Sequence, residues 1–224
     1  MQILDIQTFI QEAKDFSIYE STHAEPKLFG VTDGKAVGTY LEHKFIDYLA
    51  EKYQFVPGNS ASGIDFPEIN TDMKVTSKRQ PQSSCPYKSA RQKIYGLGYN
   101  LILFVYEKFD DHLARTACLN ISDTIFVEAS RTADYQTTTG LIEILNRQGN
   151  KDDLIAFMIE RNLQVDEIEI NNIAESILQN RPVQGYLTIS NALQWRLQYG
   201  RVINLAGQVE GVHSIFKPIE RIGK

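Results

Sequence analysis

The run LeuIleLeuPheValTyr at 101–106 limits what this chain can fold into more than any other stretch. On a strand its side chains point alternately to the two faces, so both faces have to be covered. Such a strand belongs at the centre of a sheet with helices packed against it. Apolar residues at helical spacing supply those helices. One is expected over 4–15, with Ile6, Phe9 and Ile10 on one side. A clearer one covers 36–53, with Val37, Leu41, Phe45, Tyr48 and Leu49 as its stripe. A short helix is expected over 89–98, ended by Gly96 and Gly98, and a further strand over 124–129. The expected class is α/β, a mixed central β-sheet flanked by helices.

Beyond residue 130 the pattern changes. Residues 133–146, 152–161 and 166–179 read as helices separated by polar breaks; 189–199 reads as a fourth helix and 201–206 as a strand. The expected division is a core over 1–130 and a helical C-terminal part over 131–224. Residues 17–35 hold Pro26, Gly30 and Gly34 and read as a long irregular segment, either a flap over a substrate or a plain surface loop.

Composition removes several classes. With 224 residues, 42% of them hydrophobic and 23% charged, the chain makes one domain, or one and a small appendage. No apolar run approaches the roughly 18 residues of a membrane span. MetGlnIleLeuAspIleGln has neither the basic nor the apolar region of a signal peptide. Cys85 and Cys118 are far apart, as free thiols in a reducing cytoplasm are. His23, His43, His112 and His213 are dispersed, which argues against zinc hydrolase chemistry. Gly96 and Gly98 lack the third glycine of a dinucleotide fingerprint, and 30–35 lacks the phosphate-loop spacing. The net charge is −5, yet 73–106 contains no Asp or Glu while holding Lys74, Lys78, Arg79, Lys88, Arg91 and Lys93. A basic surface on an acidic body favours a polyanionic partner and limits non-specific sticking.

The chemistry-bearing stretch is 62–77. Asp65 stands six residues before Asp72, and Asp72 two before Lys74. With strands at 64–67 and 69–76 as a tight hairpin, Asn70, Asp72, Lys74 and Thr76 share one face, and Ile69, Met73 and Val75 the other. Carboxylates are hard ligands for Mg²⁺, and an adjacent ammonium can orient a water. Glu42 lies at the margin of the buried stripe of the helix over 36–53. Taken by itself it reads as an exposed acid paired with a nearby lysine.

Asp65, Asp72 and Lys74, with Glu42 on the preceding helix, resemble the PD-(D/E)XK nuclease superfamily, type II restriction endonucleases in particular. The hairpin, helix and central-strand order resembles theirs too, over about 36–107. Two features depart from the pattern. The second acid is Asp72 where many relatives have Glu, and Pro67 follows Asp65 instead of preceding it.

The resemblance implies a Mg²⁺-dependent endonuclease of double-stranded DNA, acting as a homodimer. Asp65, Asp72 and Glu42 would hold the metal and Lys74 would position the attacking water. Lys78, Arg79, Lys88, Arg91 and Lys93 would meet phosphates, with Gln80, Gln82, Ser83, Ser84 and Gln92 near them or the bases. The helical C-terminal part would contact DNA or a second copy. Trp195 reads as packing, and Arg196 and Arg201 as phosphate contacts or solvated charges. The competing readings are a repair nuclease or junction resolvase, and a DNA-binding regulator without catalysis.

Overall fold

A computed structural model describes residues 2–58, 63–84, 88–190 and 196–218. In chain order the elements are β1 (Gln2–Ile3), α1 (Ile6–Glu20), α2 (Gly34–Ala50), β2 (Tyr53–Gln54), β3 (Thr71–Ser77), β4 (Gln82–Ser84) and α3 (Gln92–Tyr95). There follow β5 (Asn100–Asp111), β6 (Thr116–Val127), α4 (Tyr135–Asn146), α5 (Lys151–Glu160) and α6 (Glu167–Gln179). The chain continues with β7 (Thr188–Ile189), β8 (Arg196–Gln198), α7 (Gly200–Leu205) and β9 (Val212–Phe216). It forms two compact units. One comprises 1–81, 101–127 and 205–224; the other comprises 82–100 and 128–204. Residues 82–100, expected with the core, thus group with the helical part.

The first unit is built on a four-stranded sheet in the order β3-β5-β6-β9. The apolar run lies in β5 between two neighbours, and Leu101 to Val105 are all at most 1% exposed. β5 and β6 form a long antiparallel hairpin, twice the length expected for either strand, with a register shift at Val105/Tyr106. Asp111 accepts from the backbone N–H groups of Leu113 and Ala114, and Arg115 takes φ 53° to close the turn. α1 and α2 cover one face. Phe9, Phe16, Phe45, Phe66 and Phe104 meet there, Phe9 and Phe66 at 4.8 Å between ring centroids, in tilted and edge-on contacts. Each such ring contributes about 1.5–3 kcal/mol by burial. The Glu12 carboxylate accepts from Tyr48, Lys52 and Tyr53 at 2.7 Å each, tying α1 to α2 and the strand after it.

The segment over 17–35 is not a free flap. α1 runs on to Glu20 because Phe16 and Glu20 continue its buried stripe. Pro26–Leu28 is one 3-10 turn, and Glu25 and Ala117 exchange both backbone hydrogen bonds, at 2.8 and 2.9 Å. That pairing fastens the segment to β6.

The second unit has its own core of Ile94, Leu141, Ile144, Leu154, Met158, Ile170, Ile173 and Ile177. Its three helices α4, α5 and α6 fall where their periodicity places them, and Asp134, Asn150 and Asp166 cap their N-termini. A small antiparallel sheet in the order β4-β8-β7 completes it. Three expectations fail here and just beyond. Residues 196–198 form a strand instead of the end of a helix, 200–205 form a helix instead of a strand, and the expected helix over 89–98 shrinks to one turn. At 196–198 local propensity gives way to pairing with β4, more than a hundred positions away. β9, with no counterpart in the expected elements, pairs with β6. Trp195 and Cys85 lie outside the described residues; Cys118 is a half-buried free thiol.

Candidate active site

β3 is the edge strand of the central sheet, and the site is built on the chain leading into it. The expected first hairpin strand is replaced by a tighter device. Phe66 and Thr71 exchange backbone hydrogen bonds at 2.9 and 3.1 Å across a 3-10 turn, Pro67–Ile69. Asn70 closes it at φ 47°, a left-handed conformation that asparagine tolerates better than most residues. Phe66 is 2% exposed in the aromatic core, which fixes the backbone of its neighbour Asp65. The Asp65 carboxylate accepts from the Met73 N–H at 2.8 Å, so it also clamps the start of the strand.

Along β3, Met73 enters the core while Asp72 and Lys74 take the alternate positions. Asp72 is 3% exposed, and the Lys74 ammonium stands 2.7 Å from its Oδ2. Burial pushes the Asp72 carboxyl up to about 7, helped by a hydrogen bond and the charge of Asp65, against the opposing pull of Lys74. Burial works against the charge of Lys74, but Asp72, Asp65 and Glu42 outweigh it and hold the ammonium above its ordinary range. Glu42, on α2, is raised by burial and by Asp65, with Lys74 acting the other way. Gly38, one turn earlier on α2, lies over β3, where a Cβ would make ordinary contact with Val75 at 4.0 Å. The four side chains singled out in the sequence therefore sense one another, and three of them touch in sequence: Asp65 to Asp72 to Lys74.

Among the described residues no three His, Cys, Asp or Glu side chains gather closely enough to grip a metal unaided. What is present is a pair of interacting carboxylates, with Asp72 buried and its hold on a proton strengthened by that burial and by Asp65. A divalent cation in place of that proton relieves the repulsion between the two. Mg²⁺ uses one or two carboxylates and completes its shell with water and substrate phosphate, so the donor set suits it.

A family model described as type II restriction enzyme NspV matches residues 3–214. The type II restriction enzyme NspV of Nostoc sp. (strain ATCC 29411 / PCC 7524) is 64% identical over 217 residues, covering 97% of this chain and 99% of that one. The chain belongs to the NspV family of type II restriction enzymes. No solved structure matches. The NspV family match spans both units, where the resemblance read from the sequence covered about 36–107. It agrees with the restriction-enzyme class over the repair nuclease, resolvase and regulator readings.

The residues expected to contact DNA are divided between the two units. Lys78 and Arg79 belong to the first unit, Lys88, Arg91 and Lys93 to the second. Lys78 lies 3.5 Å from Glu107, and Arg91 donates to Glu169 at 2.9 Å. Lys93 is corrected: it is 5% exposed, its pKa lowered by burial with Asp134 partly compensating, so it presents no charge to a phosphate. Gln92 turns inward too, donating to the Leu97 carbonyl at 3.3 Å. Arg79, Gln80 and Lys88 are exposed. Within 79–86, which reads in the sequence as an irregular polar loop, residues 82–84 form a strand in which Ser83 bonds the Tyr199 hydroxyl at 2.6 Å and Gln82 and Ser84 take the alternate positions. Sequence reading missed the partner strand of that loop, β8, although Trp195, Leu197 and Tyr199 alternate with polar residues in the sequence.

Proposed function

We propose that this member of the NspV family is a Mg²⁺-dependent, sequence-specific endonuclease of double-stranded DNA whose catalytic residues are Asp65, Asp72, Lys74 and Glu42. The observation that carries the reading is the contact chain Asp65–Asp72–Lys74, set on a stiff edge strand with Glu42 within electrostatic reach. Asp65 and Asp72 hold the cation, and Glu42 joins them directly or through water. When bound, the cation polarises the phosphate and offsets the negative charge that grows on it. Lys74 is kept protonated by its three acidic neighbours, so it acts as a donor that orients the incoming water and a phosphate oxygen. It is not the base. Pinning Asp72 beside it fixes where that donor points, which is the part of catalysis a folded strand supplies well.

The site resembles that of the PD-(D/E)XK superfamily, and the reading includes that kinship. Each chain carries one such site while a double-strand cut needs two strands hydrolysed, so the working form is a homodimer. No helix among the described residues is long and apolar enough to cross a membrane; the enzyme acts in the cytoplasm, where its substrate would be.

The test is digestion of phage DNA. Discrete fragments with Mg²⁺, none with EDTA, and none from Asp72→Asn at any metal concentration are expected. Cutting by Asp72→Asn at the wild-type rate would remove Asp72 from the site, and a smear without discrete ends would remove the sequence specificity.

A further inference from the structure

The endonuclease reading requires a surface that distinguishes bases, and the sheet of the second unit has the chemistry for it. The chain has two long stretches free of Asp and Glu, 73–106 and 176–209. They meet in one place: β4 from the first pairs with β8 from the second, Gln82 opposite Gln198 and Ser84 opposite Arg196, with Thr188 of β7 opposite Gln198 on the other side. Directly opposed residues share a face. The other face carries Leu197 and Ile189, both buried, together with Ser83 on Tyr199. This face carries Gln82, Ser84, Thr188, Arg196 and Gln198, of which Ser84, Arg196 and Gln198 are exposed.

A strand face of glutamine, arginine, serine and threonine with no acid departs from an ordinary solvated surface, where charges of both signs are interspersed. The Arg196 and Gln198 side chains have no hydrogen-bond or ionic partner among the described residues, while Arg91 in the same unit is taken up by Glu169. Both residue types match base edges: arginine forks onto O6 and N7 of guanine, and glutamine onto N6 and N7 of adenine. Two-residue spacing along a strand is about 7 Å, close to two steps of a duplex at about 3.4 Å each. A major groove admits a two-stranded ribbon, and β8 with one neighbouring strand is of that width.

We infer that the exposed face of the β4-β8-β7 sheet reads bases in the major groove, Arg196 on a guanine edge and Gln198 on an adenine edge. Gln82, Ser84 and Thr188 flank them. This deepens the proposed function and rests on it.

The test maps the site cut by the wild-type enzyme, then measures kcat/KM on that duplex and on duplexes with each single base-pair change. Arg196→Ala and Gln198→Ala are each expected to lose about ten- to a hundredfold on the mapped site and to relax discrimination at one position, a G·C pair for Arg196 and an A·T pair for Gln198. Arg196→Lys keeps the charge without the fork and is expected to fall with Arg196→Ala. Both side chains are exposed, and thermal melting checks that the variants fold. Wild-type discrimination in both alanine variants would overturn the inference. So would an equal loss on every duplex with a shallower salt dependence, which marks phosphate contacts. If the wild-type protein cut no DNA, the endonuclease reading would fall and this one with it; if it cuts at a discrete site and the variants keep its fidelity, this one falls alone.

Discussion

The Nζ of Lys74 lies 2.7 Å from Oδ2 of Asp72, two residues earlier on the same edge strand, and Asp72 in turn shares a hydrogen bond with Asp65. An ammonium held this way is a positioned donor with its charge secured by its neighbours. Lys74→Ala removes the donor and leaves both carboxylates. Its kcat is expected to fall by about a hundred- to a thousandfold, the usual loss for one donor to a developing oxyanion. DNA binding in a gel-shift assay without Mg²⁺ is expected to stay within a few-fold of wild type. Cutting at an unchanged rate would take Lys74 out of the mechanism.

Lys93 gives the opposite prediction. It is buried beside Asp134 in the second unit, so Lys93→Met is expected to leave the fragment pattern and the salt dependence of binding as they are. Removing one member of a buried charged pair leaves Asp134 less compensated, so a lower melting temperature is expected alongside the unchanged fragment pattern. A salt slope shallower by about 0.9 in the variant would identify a phosphate contact after all.

Glu20 supplies a pH signature away from the site. It is 1% exposed, and burial holds its carboxyl above the ordinary range although the Lys44 ammonium is 2.7 Å away. The folded protein therefore keeps a proton that the unfolded chain has already released. Stability from this group is full below the ordinary value of 4.5 and declines as pH rises toward the folded value. Melting curves of Glu20→Gln against wild type from pH 4.5 to 7 are expected to shift in favour of the variant as pH rises. A constant difference across that range would contradict the assignment.

Much of this was legible in the sequence where local pattern and tertiary role agree. The apolar run at 101–106 could only be central, and α4 to α6 combine an apolar stripe with a capping residue at the right place. The spacing of Asp65, Asp72 and Lys74 was enough to group them. It could not show that Asp65 also receives the Met73 N–H, since that bond depends on the left-handed turn at Asn70. Lys93 was misplaced because lysine is so rarely buried that its charge suggested surface. β8 was misread because three residues of strand gain their stability from β4 and β7 and carry little signal of their own.

The path of the backbone between the two units has a consequence for synthesis. The chain leaves the first unit after residue 81, revisits it at 101–127, and returns only at 205. β9, which pairs with β6, comes after the whole of the second unit in chain order. The sheet of the first unit therefore cannot close until residues 212–216 have been synthesised, by which point all of 82–100 and 128–204 has already been made. A break anywhere within 128–204 separates β9 from the rest of its sheet, so the first unit cannot be isolated as one continuous segment.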